Sequence, residues 1–285
     1  MLFLTQNGRK CKILCGGIEM NRLFERKNEE SMIADGYKII EKIKVGVTGL
    51  GKGAGASFVA VSIAYFAASE SERSVAFVQL DEGHSVYDSL GIDKRFSGRT
   101  FCDFYKLVRE GRSIKTERNL DEKINWALAI PESVSGSEDT KKRLTDIEYM
   151  RLVNNISGDF IVCDFGNCDD EVLESLYDDM DYIVCVIDPL PSKLLGAEES
   201  FKRIKMMSSR GKNIIFIVNK DNPGINRREL RDYLGKMVSD NCHYIRMFDQ
   251  RLFYSVEYRC EIPASVKEIG VETGIVVSTV LNAIL

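Results

Sequence analysis

Residues 49–57 read Gly49-Leu50-Gly51-Lys52-Gly53-Ala54-Gly55-Ala56-Ser57, with glycine at every second position from 49 to 55. A backbone this free can fold so that several N–H groups point into one concavity, and such a concavity binds phosphate oxygens. The run follows a short apolar stretch, IKVGVT, and opens a longer one, SFVAVSIAYFAA. Strand, glycine turn and helix is the setting this chemistry requires, because the positive end of the helix dipole then faces the anion. The candidate cofactor-binding segment is Gly51, Lys52, Gly53, Ala54, Gly55, Ala56, Ser57 and Phe58. Ser57 can offer its hydroxyl to Mg2+, although a serine at a helix start is also a common cap.

Three further sites end apolar runs. Asp81 follows VAFVQL, Asp164 closes FIVCD and is followed by Phe165-Gly166, and Asn219-Lys220 closes IIFIVN. A carboxylate at the end of a strand beside a phosphate loop can hold Mg2+ directly or through water. The competing reading of Asp164 is a turn in which its side chain bonds its own backbone, and that of Asp81 is a cap on the next turn. An asparagine amide at the end of a strand can cap a turn. His84 and His243 have no partner pattern and read as structural or surface residues.

These positions need a scaffold, and the text from residue 43 alternates strand and helix. Ile43–Thr48, Val75–Leu80, Ile124–Ile130, Phe160–Asp164, Tyr182–Ile187 and Asn213–Asn219 are expected strands, with His243–Met247 as a seventh. Ser57–Ala68, Asp146–Ile156, Pro191–Ser209, Arg227–Leu234 and Val271–Leu285 are expected helices, and 85–122 is irregular helical material. Continuous apolar strands separated by helices predict an α/β fold of three layers, a mostly parallel sheet with helices on both faces. Such sheets bind ligands beyond the carboxyl ends of their strands. Residues 1–40 carry no pattern and are expected to be a poorly ordered N-terminal extension, with the nucleotide-binding domain at 41–285.

The order of motifs, the glycine loop, then FVQLDEG, IVCDFG, IVCVIDPLPSKL and IIFIVNK, resembles the MinD/ParA group of P-loop ATPases over about residues 43–285. It is most similar to the divergent branch that includes the TadZ/CpaE pilus-localisation proteins. The family loop reads KGGxGK[ST]. Gly55, Ala56 and Ser57 match its last three positions, with Ala56 in the place of the lysine. The first family lysine, which reaches across a dimer, falls on Gly51, and Lys52 stands one residue late as a partial replacement. The family's D-x-D is Gln79-Leu80-Asp81 here, so the second acid matches and the first does not. Asp164-Phe165-Gly166 is similar to the family's switch segment, D-x-x-G or D-x-[AP]-G, in a shorter spacing.

The resemblance implies ATP (or ADP) and Mg2+ as cofactors, with Ser57 and Asp164 at the metal, Asp81 and Lys52 in catalytic roles and Asn219 at the base. It also implies a homodimer that recruits a protein partner. Phosphoryl transfer is mostly positioning and charge stabilisation, and losing one such contact commonly costs ~10²–10³ in rate. Slow or absent hydrolysis is therefore expected. Asn219-Lys220-Asp221-Asn222 lacks the last aspartate of the guanine motif N-K-x-D, which leans to adenine.

Composition narrows the classes. A net charge of −4 and a pI near 5.5 argue against a nucleic-acid partner, and Arg203, Lys205, Arg210 and Lys212 read as a solvated helix face. Of eight cysteines, Cys163 and Cys185 sit inside apolar runs and read as small buried hydrophobes. Cys11 and Cys15 lack a second ligand pair for zinc. No stretch of 18 apolar residues is present, and the expected compartment is a reducing cytoplasm. The last helix, written from Val271, carries no Lys or Arg and so lacks the cations of a membrane-surface helix. Three functions fit these features: a nucleotide-dependent switch that assembles or localises a partner, the same fold as a nucleotide-free scaffold, and a P-loop kinase. The kinases usually carry a C-terminal tyrosine cluster, and no tyrosine follows residue 258.

Overall fold

The apolar runs pair side by side as strands β1 (Ile43–Gly49), β2 (Val75–Gln79), β3 (Leu120–Asp121), β4 (Ile124–Ala127), β5 (Phe160–Asn167), β6 (Tyr182–Ile187), β7 (Asn213–Asp221) and β8 (Cys242–Arg246). A computed structural model describes residues 41–80, 86–131, 143–167 and 173–285. The expected extension at 1–40, the polar loop at 133–142, Asp81 and His84 lie outside the described residues. The sheet runs in the order β3-β4-β2-β5-β1-β6-β7-β8. All its pairings are parallel except β3 with β4. That edge hairpin turns at Glu122 and Lys123, both at positive φ (48° and 62°), as a two-residue turn joining twisted strands requires. The sequence reading passed over β3, whose two residues carry no periodicity.

Side chains alternate between two apolar layers, as a pleated strand dictates. Val75 and Phe77 enter one layer, Ala76 and Val78 the other. The first layer is covered by α1 (Ala56–Glu70), α11 (Gln250–Arg259) and α12 (Lys267–Ile284). The second is covered by α4 (Phe104–Arg109), α5 (Asp146–Asn155), α8 (Glu198–Ser209) and α9 (Arg227–Leu234). Short helices α2 (Val86–Ser89), α3 (Ile92–Arg95), α6 (Glu174–Tyr177), α7 (Pro191–Gly196) and α10 (Lys236–Ser239) complete the connections. The expected three-layer α/β architecture is the observed one. Among the described residues no helix is long and apolar enough to cross a membrane.

Several elements differ from the expectation. The helix expected over 191–209 breaks at Ala197 (φ −106°, ψ 15°), directly after Gly196, a residue that weakens helices. Helix α11 was not anticipated; Asp249 caps it, accepting from Arg251 N at 2.8 Å. The last helix starts at Lys267, four residues before Val271, so one lysine lies in its first turn. Strands β5 and β7 run past Asp164 and Asn219, by three and two residues. This last difference bears on the site.

Candidate functional site

The central strand β1 delivers the glycine run to the carboxyl edge of the sheet. Leu50 N still donates to Val186 O of β6 at 2.8 Å, so the loop departs from an anchored end. The chain turns back where Ala54 N donates to Gly51 O at 3.1 Å. Gly53 and Gly55 sit at φ 81° and 94°, the left-handed region that favours glycine. Helix α1 begins at Ala56 with Gly55 as its N-cap and no side-chain cap bond. Ser57 is thus the second residue of the helix and not its cap, which removes one of its two readings. Neither acidic residues in the first turn nor basic ones in the last offset the dipole of α1. Its amino end points its unpaired N–H groups out of the sheet edge, the arrangement that binds anions.

Residues far away in the chain close over the loop. Asn219, buried at the end of the apolar part of β7, donates through Nδ2 to Ala54 O at 2.9 Å. Its amide lies so close to Gly55 that a Cβ there would meet Nδ2 at 2.2 Å. Lys220, at φ 61°, donates through Nζ to Gly53 O and to Asp188 Oδ2, the latter at 2.8 Å. Asp188 is buried at the end of β6, and its Oδ1 accepts from Leu190 N at 3.1 Å. Lys193 of α7 donates to Lys52 O at 3.3 Å. The outer, carbonyl side of the loop is therefore held by Asn219, Lys193 and Lys220. Lys193 and Asp188 went unremarked as functional residues; each stood inside the IVCVIDPLPSKL stretch without a spacing that marks it.

Asp164 is 1% exposed and pairs in register with Val47 on one side and Gln79 on the other. Its Oδ1 accepts from Gly166 N at 3.0 Å, so the turn-forming reading holds. That bond does not bear on the metal reading. Gln79, in the place of the family's first acid, is fully buried, and its backbone carbonyl accepts from the Tyr105 hydroxyl. Phe58 does not turn toward the loop. Its ring packs edge-on to Phe248 and Phe253, at centroid distances of 6.2 and 5.6 Å. Lys52 and Gly53 are exposed at the loop apex.

The remaining expectations have plain places. Cys163 and Cys185 are fully buried strand residues, and burial pushes the Cys163 thiol well above its ordinary range. His243 is half-buried on β8, and burial holds its imidazole below the ordinary value. Among the described residues no three His, Cys, Asp or Glu side chains gather as a metal cage. A Mg2+ ion at the loop would rest on Ser57, Asp164, phosphate oxygens and water. That donor set suits an ion that keeps several waters and takes one or two carboxylates.

With this geometry in hand, comparison with solved structures identifies the fold as that of the ParA/MinD ATPases. A ParA family ATPase from Chlorobium tepidum TLS superposes with a TM-score of 0.66 at 17% identity, covering 85% of this chain and 98% of that one. A protein assigned to plasmid partition from Borrelia burgdorferi B31, bound to AMPPNP, gives 0.64 at 14% identity over 86% and 100% of the two chains. The septum site-determining protein MinD of Pyrococcus horikoshii OT3, complexed with Mg-ADP, gives 0.61 at 15% identity over 80% and 89%. No family model and no curated protein matches the sequence.

Proposed function

We propose that this chain is an ATP-binding P-loop protein that serves as a switch or scaffold in localisation or assembly, with weak or no hydrolysis. The observation that carries the reading is the amino end of α1. Gly53 and Gly55 hold left-handed geometry there, and Ala56 stands where a P-loop lysine would reach the phosphates. Backbone donors and the helix dipole suffice to bind phosphate, whereas hydrolysis needs charge at the transferred group. Ser57 and Asp164 would hold Mg2+. Gly51 to Ala56 would line the phosphates, with Phe58 packed behind them, and Asn219, its Nδ2 held by Ala54 O, would have Oδ1 left for the base. Asp81 and Lys52 remain the candidates for any residual catalysis.

Nucleotides in two superposing structures, AMPPNP and Mg-ADP, support an adenine ligand. A homodimer is supported by exposed apolar residues near the loop's flank, Leu190, Leu195 and Tyr233, which border a groove of about 540 Å3. The MinC:MinD complex of Aquifex aeolicus is a precedent for a protein partner on this fold. The TadZ/CpaE-like branch, the cytoplasmic location and the domain start near residue 41 rest on the sequence.

The test is calorimetry of ATP with and without Mg2+ on the wild type and on Ser57→Ala. Binding that requires Mg2+ and weakens at least tenfold in the variant is expected. Absence of binding at millimolar ATP refutes the reading and favours a nucleotide-free scaffold. One observation favours that second reading: Ala56, Gly51 and Gln79 stand where the family carries two lysines and an acid.

A further inference from the structure

We infer that the site does not distinguish a nucleoside triphosphate from a diphosphate, because the segment that would sense the γ-phosphate is built into the sheet. The inference rests on the reading that the loop binds a nucleotide, and it decides between switch and scaffold in favour of the scaffold.

In switching nucleotide-binding proteins a loop after the metal aspartate is held by the γ-phosphate and released on its loss. Here the equivalent residues are Phe165, Gly166 and Asn167, and they are strand. Opposite Val47 stands Asp164, opposite Thr48 stands Gly166, and opposite Gly49 stands Asn167. Phe165 is the extra residue of a bulge in β5. A bulge re-aims a side chain, and this ring is sent into the core. It is 1% exposed and stacks on Tyr177 of α6, with centroids 4.1 Å apart and planes 19° apart. The Tyr177 hydroxyl donates to Thr48 Oγ1 at 2.9 Å, and both residues are buried. Gly46 of β1 makes room for the ring: a Cβ there would meet Phe165 Cε2 at 2.8 Å. Gly166 holds φ 63° and donates its N–H to Asp164 Oδ1. Moving Gly166 toward a γ-phosphate would break that bond, the pairing with β1 and the aromatic stack together.

The cations give the same answer. A γ-phosphate adds negative charge, and a site prefers the triphosphate where a cation meets that charge. Ala56 supplies none, the ammonium groups of Lys193 and Lys220 bond the carbonyl side of the loop, and Lys52 stands exposed at the apex. A ligand shifts a conformational equilibrium only by its differential affinity for two states. With the sensing segment fixed in one state, triphosphate and diphosphate act alike.

The experiment measures Mg-ADP and Mg-AMPPNP affinities on the full chain by calorimetry. Amide hydrogen exchange at residues 165–167 is followed with each nucleotide. The expected result is dissociation constants within about threefold and the same exchange at 165–167 in both complexes. A tenfold or greater preference for AMPPNP, about what one charge-assisted contact supplies, overturns the inference while leaving nucleotide binding established. So does protection of 165–167 that only AMPPNP confers. Failure of both nucleotides to bind overturns the nucleotide reading itself, and this inference with it. Tyr177→Phe keeps the stack and removes the bond to Thr48. Faster exchange at Gly166 in that variant, equal in both complexes, is the further result expected of a segment held by packing.

Discussion

Replacing Gly55 with alanine would load two costs onto the loop at once. The residue sits at φ 94°, ψ 30°. A side chain in left-handed geometry costs roughly 1–2 kcal/mol. The new methyl would also lie 2.2 Å from Asn219 Nδ2, so the amide must leave. Its departure breaks the 2.9 Å bond to Ala54 O, a loss of about 0.5–1.5 kcal/mol. Together the costs come to about 1.5–3.5 kcal/mol, a fall in Tm of about 3–14 °C for a domain of this size. Trp126 is the only tryptophan, 1% exposed, tilted against Phe77 and bonded through Nε1 to Asp121 O at 3.2 Å. Its emission reports unfolding in urea without any ligand.

Asn219→Ala removes the clash in advance, so Gly55→Ala in that background should cost only the backbone part. The two changes should therefore couple by about 1 kcal/mol. Additivity within about 0.5 kcal/mol would refute the placement of the Asn219 amide over Gly55. A single Gly55→Ala variant as stable as the wild type would refute the left-handed loop.

Tyr177→Phe should cost about 1–3 kcal/mol in the same assay, because it leaves the buried Thr48 hydroxyl without its donor while keeping the ring; an unchanged urea midpoint would show that the pair is not formed. The Asp249 carboxyl, bonded to the Arg251 side chain and backbone, is lowered from 3.8 to about 2. A depressed carboxylate stabilises the folded chain above its unfolded value and loses that contribution as pH falls through about 2. Carboxyl NMR should find Asp249 titrating near 2 in the wild type and closer to 3.8 in Arg251→Ala, and equal values in both would refute the pairing.

The sheet was legible because its strands are continuous apolar runs, and such runs are what a sheet covered on both faces demands. The loop was legible because glycine at alternate positions between a strand and a helix has few other uses. Boundaries were less so. Polarity at Asp164 and Asn219 reads as a strand end, yet β5 and β7 continue, because sheet pairing and not side-chain polarity sets where a strand stops. Helix α11 was hidden by its mixed composition, although Asp249 before Gln250-Arg251 is an ordinary cap signal.

What no local pattern could show is how the site is held. Asn219 meets Ala54 across 165 positions, Lys220 meets Gly53 across 167, and Tyr177 meets Thr48 across 129. The first two pairings arise because a parallel sheet collects its strand ends at one edge whatever their order in the chain, and the third because α6 packs beside β1. The motif therefore marks the loop, and the partners at that edge decide how it is held. Asp164-Phe165-Gly166 illustrates the division. As text it resembles a switch segment. In the sheet the same phenylalanine is stacked on Tyr177 under Gly46, and the glycine is bonded to the aspartate it follows. Freedom at Gly166 depends on whether its neighbour is packed, and that is a property of the fold that three letters do not carry.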